Sequence, residues 1–127
     1  MPIKFNVIER GQPGVAGGGQ KKYYASAKMS GELDIDQLTK SIERTSTVNG
    51  ADIRAVLYSL VEVASEELSR GNIVRLGDLG SMRVSISSEG LPTEEEVTAN
   101  AIKSSKVLFT PGKRLKEMQK VLEYQKA

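Results

Sequence analysis

The residues whose placement asks for chemistry are Lys113 and Arg114, in "KVLFTPGKRLKEMQ" (106–119). There an apolar, strand-like run gives way through Pro111 to a basic, helix-like segment. Both cations therefore fall in what should be the first turn of a helix. Exposed N–H groups at a helix start disfavour positive charge by roughly 0.3–1 kcal/mol, and Asp or Glu is the usual occupant. Two explanations stand: neutral placement, or an anion from outside seated against the helix end. Catalysis has little to work with. The chain holds no His and no Cys, which removes the usual general base, the usual triad member, thiolate metal sites and disulfides. The expectation is a protein that is not an enzyme and uses no cofactor, metal or small-molecule substrate.

Other charged residues extend the basic theme. Arg83 alternates with apolar Met82 and Val84 and so faces away from a core, toward solvent or a partner. Lys103 and Lys106 sit near a following strand and can point the same way. In "KKYY", Lys21 and Lys22 stand beside two aromatics, a pairing that suits nucleic-acid contact and equally suits a strand packing an appendage. The net charge of +2 conceals a partition. Residues 1–30 carry five basic side chains and one acidic, residues 31–102 six and thirteen, and residues 103–127 seven and two. A fold that brings the two ends together makes a basic face opposite an acidic one. Glu94, Glu95 and Glu96 are consecutive and do not readily converge on one ion, so they read as a solvated acidic face.

The elements that must position these residues follow from periodicity and punctuation. Ile3, Phe5 and Val7 alternate as a strand, "GQPGVAGGGQ" (11–20) breaks regular structure, and "KKYYASAKM" returns as a second strand. No Gly-Lys-Ser/Thr ending follows those glycines, so they read as a mobile hairpin loop rather than a phosphate cradle. Asp34 can cap a first helix carrying Ile35, Leu38 and Ile42 on one face. Asn49, with Asp52 three residues on, starts a second helix whose apolar stripe runs from Ile53 to Leu68 and is wider than one neighbouring helix needs. Gly71 ends it. Then come strand, Gly-bounded turn and strand (72–87), a polar acidic excursion (89–101) that is a loop or a short helix capped by Thr93, a strand (102–109), and a last helix. Thr110 is read as that helix's cap, Pro111 as part of its first turn, and Leu115, Met118 and Leu122 as its stripe.

At 127 residues the chain supports one domain with an appendage, read as a hairpin extension at 1–30 and a main domain at 31–127. Aromatics are 5% and Trp is absent, so the core is aliphatic and thin, the kind that gains stability by pairing with a second chain. No charged leader with a cleavage site and no run of transmembrane length stands out, and the expectation is a soluble, cytoplasmic protein with no membrane partner.

Two helices, "SRGNIVRLGDLGSMRV", an excursion and then "VLFTPGKRLKE" resemble the HU/IHF family of bacterial histone-like DNA-binding proteins. The resemblance rests on Gly71, the turn Gly77–Leu79–Gly80–Ser81–Met82, and Phe109–Thr110–Pro111–Gly112–Lys113–Arg114–Leu115, and covers roughly residues 33–125. The basic hairpin before it looks like the extension of HU-related proteins of the Bacteroides type. The resemblance implies an α+β fold: a helical body, a three-stranded antiparallel sheet with an arm, and an intertwined homodimer. It implies architectural, largely sequence-independent binding of duplex DNA in the nucleoid, with Arg83, Lys103, Lys106, Lys113 and Arg114 against phosphates. In the family, a proline at a basic arm tip wedges between base pairs. This chain has "GLPTEEEVTA" there, with Pro92 followed closely by three glutamates; Pro92 reads as a turn residue rather than a wedge, and if "TEEE" opens a short helix the arm is shortened or remodelled. An HU-fold dimer that has lost duplex wrapping and serves as a protein-interaction module is the competing expectation.

Overall fold

The computed structural model describes residues 2–12 and 14–127. Met1, and Pro13 within the glycine-rich loop, lie outside the described residues. Two compact units share the chain. One comprises residues 1–34 with 119–127, the other residues 35–118.

In the larger unit, α1 (Ile35–Thr45) and α2 (Gly50–Ser69) form a helical pair. Asn49 Oδ1 accepts the Asp52 N–H at 2.9 Å, satisfying one of the donors that a helix start leaves unpaired. At the far end Gly71, at φ +85°, donates its N–H to the Leu68 carbonyl, while Asn72 N–H reaches the Glu67 carbonyl. That bond pair is a Schellman cap, and it turns the chain out of α2 toward the sheet. The two helices meet closely at Gly50, where an added Cβ would lie 2.8 Å from a Glu43 carboxylate oxygen, and Asp36 pairs with Arg54 at 2.9 Å.

Three antiparallel strands follow in the order β3 (Val74–Arg75), β4 (Gly80–Ser88), β5 (Ile102–Pro111), with α3 (Lys113–Lys120) after them. Opposed pairs share a face. Met82↔Phe109, Val84↔Val107 and Val74↔Met82 make one side apolar. Arg75↔Ser81, Ser81↔Thr110, Arg83↔Leu108 and Ser85↔Lys106 make the other side polar. The register breaks between Ser87 and Ser88, so Lys103 falls in a β-bulge. The β3–β4 turn docks on the start of α3: Leu79 O accepts the Gly112 N–H at 3.0 Å and Asp78 O accepts the Arg114 N–H at 3.1 Å. Only glycine fits at 112, because a Cβ there would lie 2.5 Å from the Asp78 carbonyl oxygen.

In the smaller unit β1 (Ile3–Arg10) lies between β2 (Lys22–Ala27), antiparallel, and β6 (Tyr124–Lys126), parallel. The loop between β1 and β2 is drawn shut by a Gln12 N–H to Gly18 O bond of 2.6 Å.

Several sequence expectations change. Pro111 ends β5 instead of entering the helix, and Gly112 precedes it. The last helix stops at Lys120, so Leu122 lies beyond it and the chain re-enters a strand. Residues 119–127 group with the hairpin, a division different from one at residue 30. The chain is also short of interior. Among the described residues the buried apolar side chains are Ile53, Ala64 and Ala101. The accessible surface is 10502 Å². One compact 13.8 kDa globule would expose about 6,600 Å², and two globules sized as these units about 7,900 Å². The excess is apolar in part: Val56 is 65% exposed and Val63 57% on α2, with Ile86 and Val107 each 59% exposed on the sheet.

Replacing Gly112 by Ala is expected to push the β3–β4 turn off α3 and to lower stability by about 1–3 kcal/mol, as overpacking does. Urea denaturation followed by circular dichroism measures the shift.

Candidate nucleic-acid interface

The polar side of β3–β4–β5 arises because Ser, Thr, Arg and Lys occupy most alternate positions of strands whose other positions are mainly Met, Val, Ile and Phe; Leu108, opposite Arg83, is the apolar member of that side. Arg83 and Lys106 belong to adjacent same-face pairs and are diagonal neighbours across the β4–β5 ladder. Arg75 joins them one strand over, opposite Ser81. Hydroxyls of Ser81, Ser85, Ser87, Ser104 and Thr110 fill the spaces between. No Asp or Glu occurs at 79–88 or 102–116. The result is a cationic, donor-rich strip across three strands whose chemistry suits phosphate oxygens.

At the α3 end the strip deepens into a cleft of about 300 Å³ lined by Arg75, Ser81, Thr110, Gly112 and Lys116 among others. Arg75 and Lys116 were not singled out in the sequence, although the signals were present. Arg75 alternates with Val74 and Leu76 as Arg83 does with its neighbours, and Lys116 is one helical turn after Lys113. Lys113 and Arg114 are indeed the first two residues of α3 and are exposed. The helix end beneath them is not wholly open, since the Asp78 carbonyl takes the Arg114 N–H. That carbonyl also places negative potential at the helix start, which offsets part of the unfavourable position of two cations.

The predicted residues thus separate into groups. Arg83 and Lys106 come together on one face, Lys113 and Arg114 begin α3, and Lys103 occupies the bulge toward the hairpin tip. Lys22 opens β2 and Lys21 immediately precedes it, both in the smaller unit. At the tip, residues 89–101 are drawn together by the Glu89 N–H to Ala101 O bond of 2.9 Å. "TEEE" forms one 3-10 turn at Glu94–Glu96, and the Thr93 side chain does not cap it. The segment carries four glutamates and no basic residue. Among the described residues no cluster of His, Cys, Asp or Glu is arranged to hold a metal ion, and no helix is long and apolar enough to cross a membrane.

A helical pair, a three-stranded sheet with an extended β4–β5 hairpin and a basic strip ending at a short helix define an α+β protein with an HU-like fold. Residues 1–126 match the family described as HU domain fused to wHTH, Ig, or glycine-rich motif, and the chain belongs to that family. No curated protein matches it significantly. Among solved structures it is similar to a provisionally assigned bacterial DNA-binding protein from Bacteroides vulgatus ATCC 8482, at a TM-score of 0.67 and 17% identity. That match covers 98% of this chain and 47% of the other, so the chain spans about half the length of its structural relative.

Changing Lys113 and Arg114 together to Ala removes two cations from a helix start and adds the best helix former. Stability is expected to hold or to rise by up to about 1 kcal/mol. A urea midpoint lower than that of the unmodified protein would show that the two side chains support the fold itself.

Proposed function

We propose that the chain is a non-enzymatic, sequence-tolerant DNA-binding protein that works as a homodimer and has an architectural role in the nucleoid. The observation that carries this reading is the strip of Arg75, Arg83 and Lys106, with no acid at 79–88 or 102–116, continuing to the cations of α3. Membership of an HU family supports it, as does the likeness to a protein described as DNA-binding. Arg83, Lys106, Lys113 and Arg114 hold phosphates, joined by Arg75 and Lys116, and Lys103 extends the strip toward the tip. Serine and threonine hydroxyls supply neutral donors between them. Such contacts fix the position of a duplex without reading its bases.

The exposed apolar surface supports the dimer. Even against two separate globules, each chain exposes about 2,600 Å² too much. A standard interface takes only ~800 Å² per partner, while obligate, intertwined interfaces take more. The stripe of Val56, Leu60 and Val63 on α2 and the Val84, Ile86, Val107, Phe109 side of the sheet are the surfaces a second copy covers.

The closed acidic tip sets a limit. Four glutamates near a phosphate backbone oppose wrapping, so this protein bends DNA less than a dimer with long basic arms. The same feature favours the rival reading, an HU-fold assembly module that does not wrap a duplex.

Three outcomes are expected. Sedimentation at low micromolar concentration should give twice 13.8 kDa, and Val56→Glu should abolish that dimer; a stable folded monomer of the unmodified protein defeats the dimer. Fluorescence anisotropy on a random duplex should give a steep log–log salt dependence. Its slope should shrink by about 0.9 for each of Arg83, Lys106, Lys113 and Arg114 changed to Gln, with all sequences weakened alike. Changing Glu94, Glu95 and Glu96 to Gln should tighten binding. No binding even at low salt would discard the DNA reading in favour of the assembly module.

A further inference from the structure

The smaller unit has two unlike faces. Register and alternation put Ile3, Phe5 and Val7 of β1 on one side with Ala25 and Ala27 of β2 and Tyr124 of β6. The other side receives Lys4, Asn6, Ile8 and Arg10 of β1, with Lys22, Tyr24 and Ser26 of β2 and Gln125 of β6. Lys28, just past β2, donates its N–H to the Lys4 carbonyl at 2.8 Å and lines one concavity with Lys4 and Gln125. Four exposed cations therefore share this side; no acid stands at the paired positions of β1, β2 or β6 that face it, and the one glutamate of β1, Glu9, alternates to the opposite face.

The cations are paired at the two ends. Arg10 stands directly across from Lys22, and Lys4 beside Lys28. Directly opposed like charges destabilise a strand pair, so each end gains when an anion enters. Six residues of strand separate the pairs, about 20 Å at 3.3 Å per residue, comparable with about six nucleotides of one DNA strand at 3.4 Å each. Between them lie an amide, a hydroxyl and the Tyr24 ring, over which the Arg10 guanidinium sits 5.1 Å from the centroid. That contact orients the arginine without neutralising it. A membrane surface would call for basic and large apolar residues on the same side, whereas here the larger apolar set is on the reverse.

We propose that the face formed by Lys4, Arg10, Lys22 and Lys28 is a second DNA-backbone surface, separate from the strip on the larger unit. Duplex DNA is its partner, and each chain thereby carries two phosphate-binding surfaces. The proposal shares with the reading above only the choice of ligand and rests on different residues.

The test uses the full-length protein and a 30-base-pair random duplex, with anisotropy read at several salt concentrations. One variant changes Lys4, Arg10, Lys22 and Lys28 to Gln; another changes Arg83, Lys106, Lys113 and Arg114 to Gln; a control changes Lys126, which alternates to the apolar face, to Gln. The first variant should lose about 3–4 from the salt slope, and the second should keep a residual slope of at least about that size, because Arg75, Lys103 and Lys116 also remain in it. The control should keep the full slope. If the first variant binds like the unmodified protein, the second surface is refuted while the first stands. If only the second variant keeps full binding, the first surface is refuted and this one stands. A loss in the control equal to that of each face residue overturns the facial assignment. Binding to vesicles rich in phosphatidylserine that depends on these four residues, with DNA binding unaltered, overturns the choice of partner. Unchanged far-ultraviolet circular dichroism and sedimentation should accompany each variant; single changes at Lys4 and Lys22, each expected to remove about 0.9 from the slope, decide the matter if the fourfold variant fails to fold.

Discussion

Everything in this structure answers to a shortage of interior. Among the described residues, the apolar stripes on α2 and on one side of β3–β4–β5 are largely exposed. Burial of apolar surface is the main force available to a protein without cysteines to cross-link, at about 25 cal/mol per Å². Half-exposed Val and Ile side chains therefore represent stabilisation that the single chain leaves unrealised. The local devices that are present, the Asn49 cap, the Schellman cap at Gly71 and the glycine-mediated docking at Gly112, hold elements in place but do not supply a core.

The same economy shapes the charge. Each sheet has one mainly apolar side and one side that carries most of its cations and hydroxyls, an arrangement that period-two alternation produces at no extra length of chain. Most acidic residues lie in the helices and at the hairpin tip, and Glu9 alternates away from the basic side of β1. Charge and apolar character are thus partitioned strand by strand, and two surfaces with opposite tastes lie one strand thickness apart.

Much of this was legible in residues. Asn49 and Asp52 announced the start of α2, and Gly71 its end, because capping is a local interaction written in three or four positions. Alternation around Arg83 gave its outward direction. What escaped was set by partners far away in sequence. The bulge at Lys103 exists only in the β4–β5 register, and the role of Arg75 depends on its meeting Ser81 across a turn. Thr110 looked like a cap because Pro often opens helices, but strand pairing extends through Pro111 and delays the helix to Lys113. Leu122 fits a helical stripe by spacing, yet the residues after it are held by β1, and tertiary pairing overrode the local pattern.

The parallel pairing of β6 on β1 has a kinetic side. Ile3 meets Tyr124 across almost the whole chain, so the contact closes a loop of about 120 residues and meets the corresponding entropy. Collapse of the intervening segment shortens that loop, which makes the third strand the last of its sheet to join. During synthesis the β1–β2 hairpin emerges early with one edge of β1 unpaired, and it must stay unpaired until the later residues arrive. An open edge of Ile, Phe and Val is a template for other chains, and the lysine and arginine along the same strand keep such encounters repulsive while it waits.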